Sequence, residues 1–542
     1  MLYSKSLYYD ELYVARRITA MTGPAPVDTA RVARWVELFC KAKNIRLSPE
    51  QTAAVHGIVA QRVAILTGGP GVGKTTTTLV LVKLIQAMGL KVLLAAPTGR
   101  AAQRMSDVIG QPAKTIHRLL EWQTDGFKKN EETPLKVDFL IVDECSMLDI
   151  SLTASLLRAV PNHSQVLFIG DADQLPSVGA GNVLKDLIAS QKVACFCLTR
   201  IFRQAEQSLI IKYAHEINRG DLPRIDSPFK KPGIWQNGDD CLFLDAEEAT
   251  REQLNFVARV KRFFNPGDAP ARDDNPDGDG DLFAFRANEP VMPYETDLVI
   301  PAKFQHVDLA AVREADSRVD ELLAVLKKVH PWSALHYGLT ASDVIRKVYV
   351  EWIPKYLGSQ CEIQVLSPMT RGSLGTLSLN AMMQEAVNPA AEGKRQLQVG
   401  ERIFRVGDRV IHRRNNYDLN VFNGDIGVIR QIDHEDLTCT VAFFPDQRLV
   451  LYRREDIMEL DLAYAITIHK SQGSEFEAVI IPILTQHFKM LFRNLIYTGL
   501  TRARKFAVLV GTRKALAMAV KNQDTSRRQT ALQELLAAAD RI

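Results

Sequence analysis

The segment that most restricts what this chain can fold into is GGPGVGKTTTT at 68–78, set between the apolar run VAILT and the helix-like LVLVKLIQAM. It satisfies GxxxxGK[ST] with Gly68, Gly73, Lys74 and Thr75. Glycines at this spacing let backbone N–H groups converge on phosphate oxygens. The lysine reaches the β and γ phosphates, and the hydroxyl can ligate Mg²⁺. A chance glycine-rich turn would lack a strand before it and a helix after it. The expected nucleotide-binding set is Gly68, Gly69, Pro70, Gly71, Val72, Gly73, Lys74, Thr75 and Thr76.

Further apolar runs, KVLLAAP, FLIVDE and QVLFIGD, alternate with helix-like stretches up to about residue 219. Buried parallel strands read as continuous apolar runs, and open α/β sheets bind ligands at the carboxyl ends of their strands. FLIVDE ends in Asp143-Glu144. Asp143 suits the Mg²⁺ shell, and Glu144 suits the group that orients or deprotonates an attacking water. Two carboxylates after an apolar strand are a weak signal alone; behind a phosphate loop they indicate a nucleoside triphosphatase using ATP and Mg²⁺. QVLFIG ends in Asp171, which places Gln174 near the same edge. An amide there can touch both γ phosphate and water, although a polar loop residue is the plainer alternative.

Bulk properties exclude more than they select. Lys and Arg number 67 against 63 Asp and Glu, for a net charge of +4, so charge alone does not single out a nucleic-acid binder. The seven cysteines are scattered without a CxxC pair. That argues against a disulfide framework and a zinc site and suits reduced thiols in a cytoplasmic protein. No run of about 18 apolar residues suggests a membrane span.

Residues 1–46 read as one or two helices broken at Thr22–Pro26, and Ser48 is a candidate N-cap. Residues 236–360 read as a linker and insertion, with an acidic loop at 269–281 and an amphipathic helix over 308–329. An α/β pattern covers 361–400 and 461–542. Between them, 401–460 alternates apolar and polar residues with NG, GD and DG turns, the mark of a small antiparallel β unit.

In chain order stand LSPEQTAAV, GGPGVGKTTTT, LLAAPTGRAAQRM, KTIHRLL, IVDECSMLD, GDADQLPSVGAGNVL, LTRIFRQ, VLSPMTRGSLGTLSLN, NNYDLNVFNGDIG, AITIHKSQGSEFEAVIIP and LIYTGLTRARK. This series resembles the superfamily 1 DNA helicases of the RecD-like branch, over roughly 47–235 and 360–515. The resemblance implies two RecA-like domains, at 47–235 and at 361–400 with 461–542, and an SH3-like β-barrel at 401–460. It implies an ATP-dependent motor moving 5′ to 3′ on single-stranded DNA and opening duplexes in repair or recombination. In that picture Gln51 meets the adenine edge and Glu475 the ribose, while Arg203 and Arg502 reach the γ phosphate. Pro97, Thr98, Gly99 and Arg100, then Thr115, His117 and Arg118, then Thr467, His469 and Lys470 line the DNA strand. A duplex-splitting hairpin is expected within 120–136, with Trp122 and Phe127 near its arms. Arg413 and Arg414 are candidate contacts from the barrel.

The implied partners are single-stranded DNA and single/double-strand junctions, met by a monomeric motor without a membrane role; proteins of repair or recombination are further candidates. The alternatives are a motor subunit of a larger recombination or conjugation complex and an ATP-gated clamp that hydrolyses weakly. Two features depart from the family pattern. Only 46 residues precede LSPEQ, where relatives often carry longer N-terminal domains. The loop at 269–281 imitates half a calcium loop through Asp273, Asn275, Asp277 and Gly278, but Ala284 stands where the bidentate glutamate belongs, so a solvated acidic loop is expected.

Overall fold

The computed structural model describes residues 4–123, 126–201, 207–264, 298–416, 418–444, 446–523 and 528–538. The first apolar runs form strands β1 (Val63–Thr67), β2 (Val92–Ala96) and β3 (Ala113–Thr115). A short hairpin, β4 (Trp122–Gln123) with β5 (Gly126–Phe127), precedes β6 (Phe139–Val142), β7 (Gln165–Gly170) and β8 (Ala194–Cys197). Six of these make one parallel sheet in the order β3-β2-β6-β7-β1-β8. Helices cover both faces, which is why β1 and β6 are apolar and buried at every position. Parallel strands put all carboxyl ends at one edge, so the loops after Thr67, Val142 and Gly170 emerge side by side.

A second parallel sheet contains β9 (Cys241–Asp245) and β10 (Ile363–Ser367). The β unit follows, with β11 (Gln396–Val399), β12 (Arg402–Arg405), β13 (Arg409–His412), β14 (Ile426–Asp433), β15 (Thr438–Phe443), β16 (Arg448–Tyr452) and β17 (Leu460–Leu462). The chain then returns through β18 (Ala465–Thr467), β19 (Phe476–Ile483) and β20 (Ala503–Gly511). The second sheet has the order β18-β10-β19-β20-β9, and the β unit the antiparallel order β16-β15-β14-β13-β17 with β11-β12 beside it. Together they give two RecA-like α/β units and an SH3-like insert.

Three segments sit differently from the sequence-based expectation. Residues 236–360 are not a simple linker. CLFLD forms β9, the edge strand paired with β20, and Ala334, Val344, Ile345 and Ile353 cover the second sheet in one core with Leu242 and Val365. The helix expected over 308–329 is two short ones, Leu309–Glu314 and Arg318–Val325. Ser317 caps the second by accepting from Asp320 N–H, which breaks the run. They pack with Arg251–Phe264 around Phe256, Val260, Phe304 and Val312. The C-terminal helix Leu532–Ala538, assigned to the second unit from sequence, docks instead on the first, against the helix Lys5–Met21. Glu11 receives the Ala531 N–H at 3.0 Å there. The acidic loop 269–281 lies outside the described residues.

A buried carboxylate fixes the β unit to the second sheet. Asp408 is fully buried. It accepts from Gln384 on the helix Thr376–Val387 and from its C-cap Asn388, at 2.5 and 2.6 Å, from Arg405 N–H at 2.7 Å and from the Tyr464 hydroxyl at 2.9 Å. Asp408→Ala strands those donors, and we expect a loss of about 3–5 kcal/mol, read as a lowered urea midpoint. A cost under about 1 kcal/mol would mean that apolar contacts hold the barrel instead.

Candidate nucleotide cleft and strand groove

The phosphate loop joins β1 to the helix Lys74–Ala87. Gly73 stands at φ +82°, left-handed backbone that favours glycine. A Cβ on Gly69 would lie 2.8 Å from the His215 ring and 3.1 Å from the Tyr497 hydroxyl. The Lys74 ammonium donates to the carbonyls of Gly68 and, at 2.8 Å, Gly69, which holds it over the loop.

Around this loop is a cleft of about 740 Å³. The first unit contributes Gly69, Pro70, Gly71, Gly73, Lys74, Thr75 and Thr76, with Asp143, Glu144, Asp171 and Gln174. The second contributes Glu475, Thr501 and Arg502. Gly68 and Val72 do not line it; Val72 is buried in the first unit's core. Burial, and then the neighbouring Glu144 charge, push the Asp143 carboxyl up to about 6. Glu144 sits at φ +53°, a costly conformation for a side-chain-bearing residue. Adjacent carboxylates crowded in this way, beside the Thr75 hydroxyl, are the donor set that a divalent cation fits.

The two units meet through polar contacts at this edge. Arg502 is buried, and its Nη2 donates to the Gln174 carbonyl oxygen at 2.9 Å, while other guanidinium N–H groups donate to Thr498 O and Ser474 O at 3.2 Å. Leu175 N–H donates to the Thr498 hydroxyl at 2.9 Å, and Gln472 donates to Leu175 O at 2.7 Å. The Tyr497 hydroxyl donates to Asp171 at 2.7 Å. Burial pushes the Asp171 carboxyl up.

Two expected nucleotide contacts are engaged elsewhere. Gln51 is fully buried. Its amide oxygen accepts Ser48 N–H at 2.8 Å in a capping box, and its amide nitrogen donates to Gly73 O at 3.1 Å. It braces the phosphate loop from behind, so an adenine edge would have to displace one of these bonds. Glu475 forms an ion pair with Arg104 at 2.8 Å across the cleft. Arg203 lies outside the described residues. Sequence reasoning missed Tyr497, Gln472, Arg104 and Arg46, which also lines the cleft. Polar Tyr497 and Thr498 inside the wholly buried run 494–500 were the available signal.

A second cavity, about 650 Å³, lies between the first unit, the barrel and the second unit. Gly99, Arg100, Thr115 and Arg118 line it from the expected strand set, facing Phe422 and Arg448 of the barrel. Arg118 lies 5.5 Å from the Phe422 ring and Arg100 5.6 Å from Phe476. Burial, with Arg409 nearby, pushes Arg100 down to about 10, so it stays charged at neutral pH. Pro97, Thr98, His117, Thr467, His469 and Lys470 are not on this wall. The Thr98 and Thr115 hydroxyls cap the helices Gly99–Ile109 and Ile116–Leu119. His117 packs under the hairpin, with ring centroids 6.3 Å from Trp122 and 5.7 Å from Phe127, and burial pushes its imidazole down toward the neutral form. Thr467 accepts from Lys470 N–H at 3.2 Å, and His469 opens the adjoining turn. Asp461 holds Arg402, Arg413 and Lys470 at 2.7, 3.3 and 3.8 Å, while Arg414 is exposed.

Three family models match in chain order: an AAA domain over residues 51–180, the SH3 domain of ATP-dependent RecD-like DNA helicases over 379–443, and a UvrD-like helicase C-terminal domain over 462–510. The ATP-dependent RecD2 DNA helicase of Deinococcus radiodurans is 32% identical over 97% of this chain and 57% of its own length. The RecBCD enzyme subunit RecD of Haemophilus influenzae is 26% identical over 90% of this chain and 72% of its own. The chain thus spans little more than half the length of the RecD2 relative. A solved structure of Pif1 helicases at forked double-stranded DNA covers 88% of this chain and 94% of its own at 18% identity with a TM-score of 0.45, an overlap too loose to bear on function. By sequence, the chain is similar to RecD-type helicases along nearly all of its own length.

Proposed function

We propose that this chain is an ATP-driven motor that moves 5′ to 3′ along single-stranded DNA and opens duplexes, in DNA repair or recombination. The observation that carries the reading is the Arg502–Gln174 contact across the cleft. A cation from one unit meets the γ-phosphate edge of the other, so hydrolysis depends on closure of two bodies that can move relative to each other.

The loop amides and Lys74 hold the phosphates. Thr75 and Asp143 would hold Mg²⁺, which would supply positive charge against the phosphates. Glu144 takes the proton of the water that attacks the γ phosphorus as the bond to the β-phosphate oxygen breaks. Gln174 positions that water. Arg502, with Arg203 on the strength of the family resemblance, stabilises charge in the transition state. Glu475 leaves Arg104 to meet the ribose. The strand follows the groove at Gly99, Arg100 and Arg118 past Thr98, Thr467, His469 and Lys470, and the β4–β5 hairpin meets the duplex. Cations, hydroxyls and amides there suit phosphate contacts that ignore base sequence.

A second reading, a motor portion of a larger assembly, is favoured by the length shared with RecD2 and by relatives named as RecBCD subunits. Robust unwinding by the isolated chain would oppose it.

Lys74→Ala is expected to abolish ATPase activity while leaving single-stranded DNA binding intact; retained turnover would refute the site assignment. Arg502→Ala should lower kcat by roughly 10³–10⁵ with little change in DNA affinity, in single-turnover hydrolysis. On partial duplexes with either a 5′ or a 3′ tail, only the 5′-tailed substrate should open. Opening of the 3′-tailed one alone would keep the motor and reverse its direction.

A further inference from the structure

At the amino-terminal edge of the first sheet, opposite the nucleotide cleft, lies a cavity of about 1080 Å³. Its wall comes from the helix Lys5–Met21, the residue before β2, the segment linking β5 to β6 and the turn before β7. Three cations on it come from three of these segments: Arg17, Lys91 and Lys136. No described carboxylate forms an ion pair with any of them. Arg17 donates only to neutral oxygens, Val160 O at 2.6 Å and the Asn162 side chain, and its buried Nε has no acceptor. Two carboxylates share the wall and offset part of that charge, with His163 3.8 Å from Asp138. Glu131 accepts from the Tyr13 hydroxyl, and Asp138 from the Lys91 backbone N–H at 2.7 Å. Lys129 and Arg158, also on this wall, are held by Glu121 and Asp10.

Five cations (Arg17, Lys91, Lys129, Lys136 and Arg158) face two carboxylates around one concavity, and such an excess of positive charge is a site for phosphate groups. The volume slightly exceeds the roughly 300–1,000 Å³ of small-molecule pockets, which favours an extended polyanion over a single small anion. Chain continuity decides which one. The descending arm of the β4–β5 hairpin runs through Lys128 and Lys129 directly into the cavity wall at Glu131–Asp138. A strand turned aside at the hairpin would meet these lysines first and the cavity next.

We propose that this cavity binds the backbone of the excluded DNA strand, the one on which the motor does not travel, and keeps it from re-annealing behind the hairpin. The inference rests on the helicase reading and adds a second, separate strand site to it. Neither Lys91 nor Lys136 touches the nucleotide cleft or the strand groove, and both are exposed, so charge reversal there leaves the core intact.

The test compares two duplexes with the same 5′ loading tail, one carrying an unpaired 3′ tail on the other strand and one without it. Binding is measured by fluorescence anisotropy without nucleotide, and unwinding with ATP. The wild-type chain should bind the forked duplex roughly tenfold more tightly. Lys91→Glu/Lys136→Glu should erase that preference and lower the salt slope of fork binding by about 2. Its affinity for single-stranded DNA and its DNA-stimulated ATPase should not change. A double variant that keeps the fork preference, or a wild-type chain that has none, overturns the proposal. A wild-type chain that prefers the fork but opens neither substrate would instead sink the helicase reading and leave the second strand site standing.

Discussion

Arg502 is a buried cation without a buried anion beside it. Its side chain donates to four neutral oxygens, those of Thr498, Ser474, Gln174 and Thr501, and no described carboxylate pairs with it. Burying a charge is tolerated when its hydrogen bonds are met, but the electrostatic field of that charge is not cancelled. Across the cleft the first unit presents the opposite imbalance, Asp143 beside Glu144 and a buried Asp171, with Asp143 and Asp171 pushed upward by burial. The two halves therefore carry complementary, unmet charge on facing walls. On the proposed reading, a phosphate chain with its cation would answer both at once and favour the closed arrangement.

Contacts across this edge are both polar and apolar, since Leu175 of the first unit is buried in one core with Leu495 and Ile496 of the second. Leu175 is held by Thr498 and Gln472 from the second unit, so any shift of the second sheet is felt one residue from Gln174. The barrel follows the second sheet as one body, since Asp408 ties β12 and β13 to the helix Thr376–Val387 and to Tyr464. Phe422 on the barrel in turn packs over Gly99 and Arg118 of the first unit. The second unit, with the barrel fixed to it, therefore faces the first unit at both cavities.

Local chemistry was legible in the sequence. The strand–loop–helix of the phosphate site, the carboxylates after β6, the break between the first two helices and the Ser48 cap all follow from short-range rules, and all appear in the structure. Long-range pairing was not. CLFLD obeys the same rule as the other buried strands, yet nothing local shows that it pairs with β20, some 260 residues later. Gln51 looks like an exposed polar residue in a helix start, but the fold places Gly73 above it and uses up its amide. His117 reads as a phosphate contact until the hairpin folds over it. In each case a distant segment, unseen in the local pattern, decides the role of the side chain.

The same distance effect accounts for the helix Leu532–Ala538 packing on the helix Lys5–Met21. After the helix Arg513–Lys521 in the second unit, the chain returns to the first. Arg528 donates to Gly181 O at 2.8 Å and also bonds Ser177 and Gly179, and Thr530 lies between Glu11 and Asp186. The second unit is therefore tethered to the first by two crossings, one before β9 and one after that helix. The returning strap also grips 177–181, the continuation of the loop that carries Gln174, while Thr498 and Arg502 grip that loop from the other side. Its position is set jointly by that strap and by the interface, Arg528 holding 177–181 and Arg502 holding Gln174.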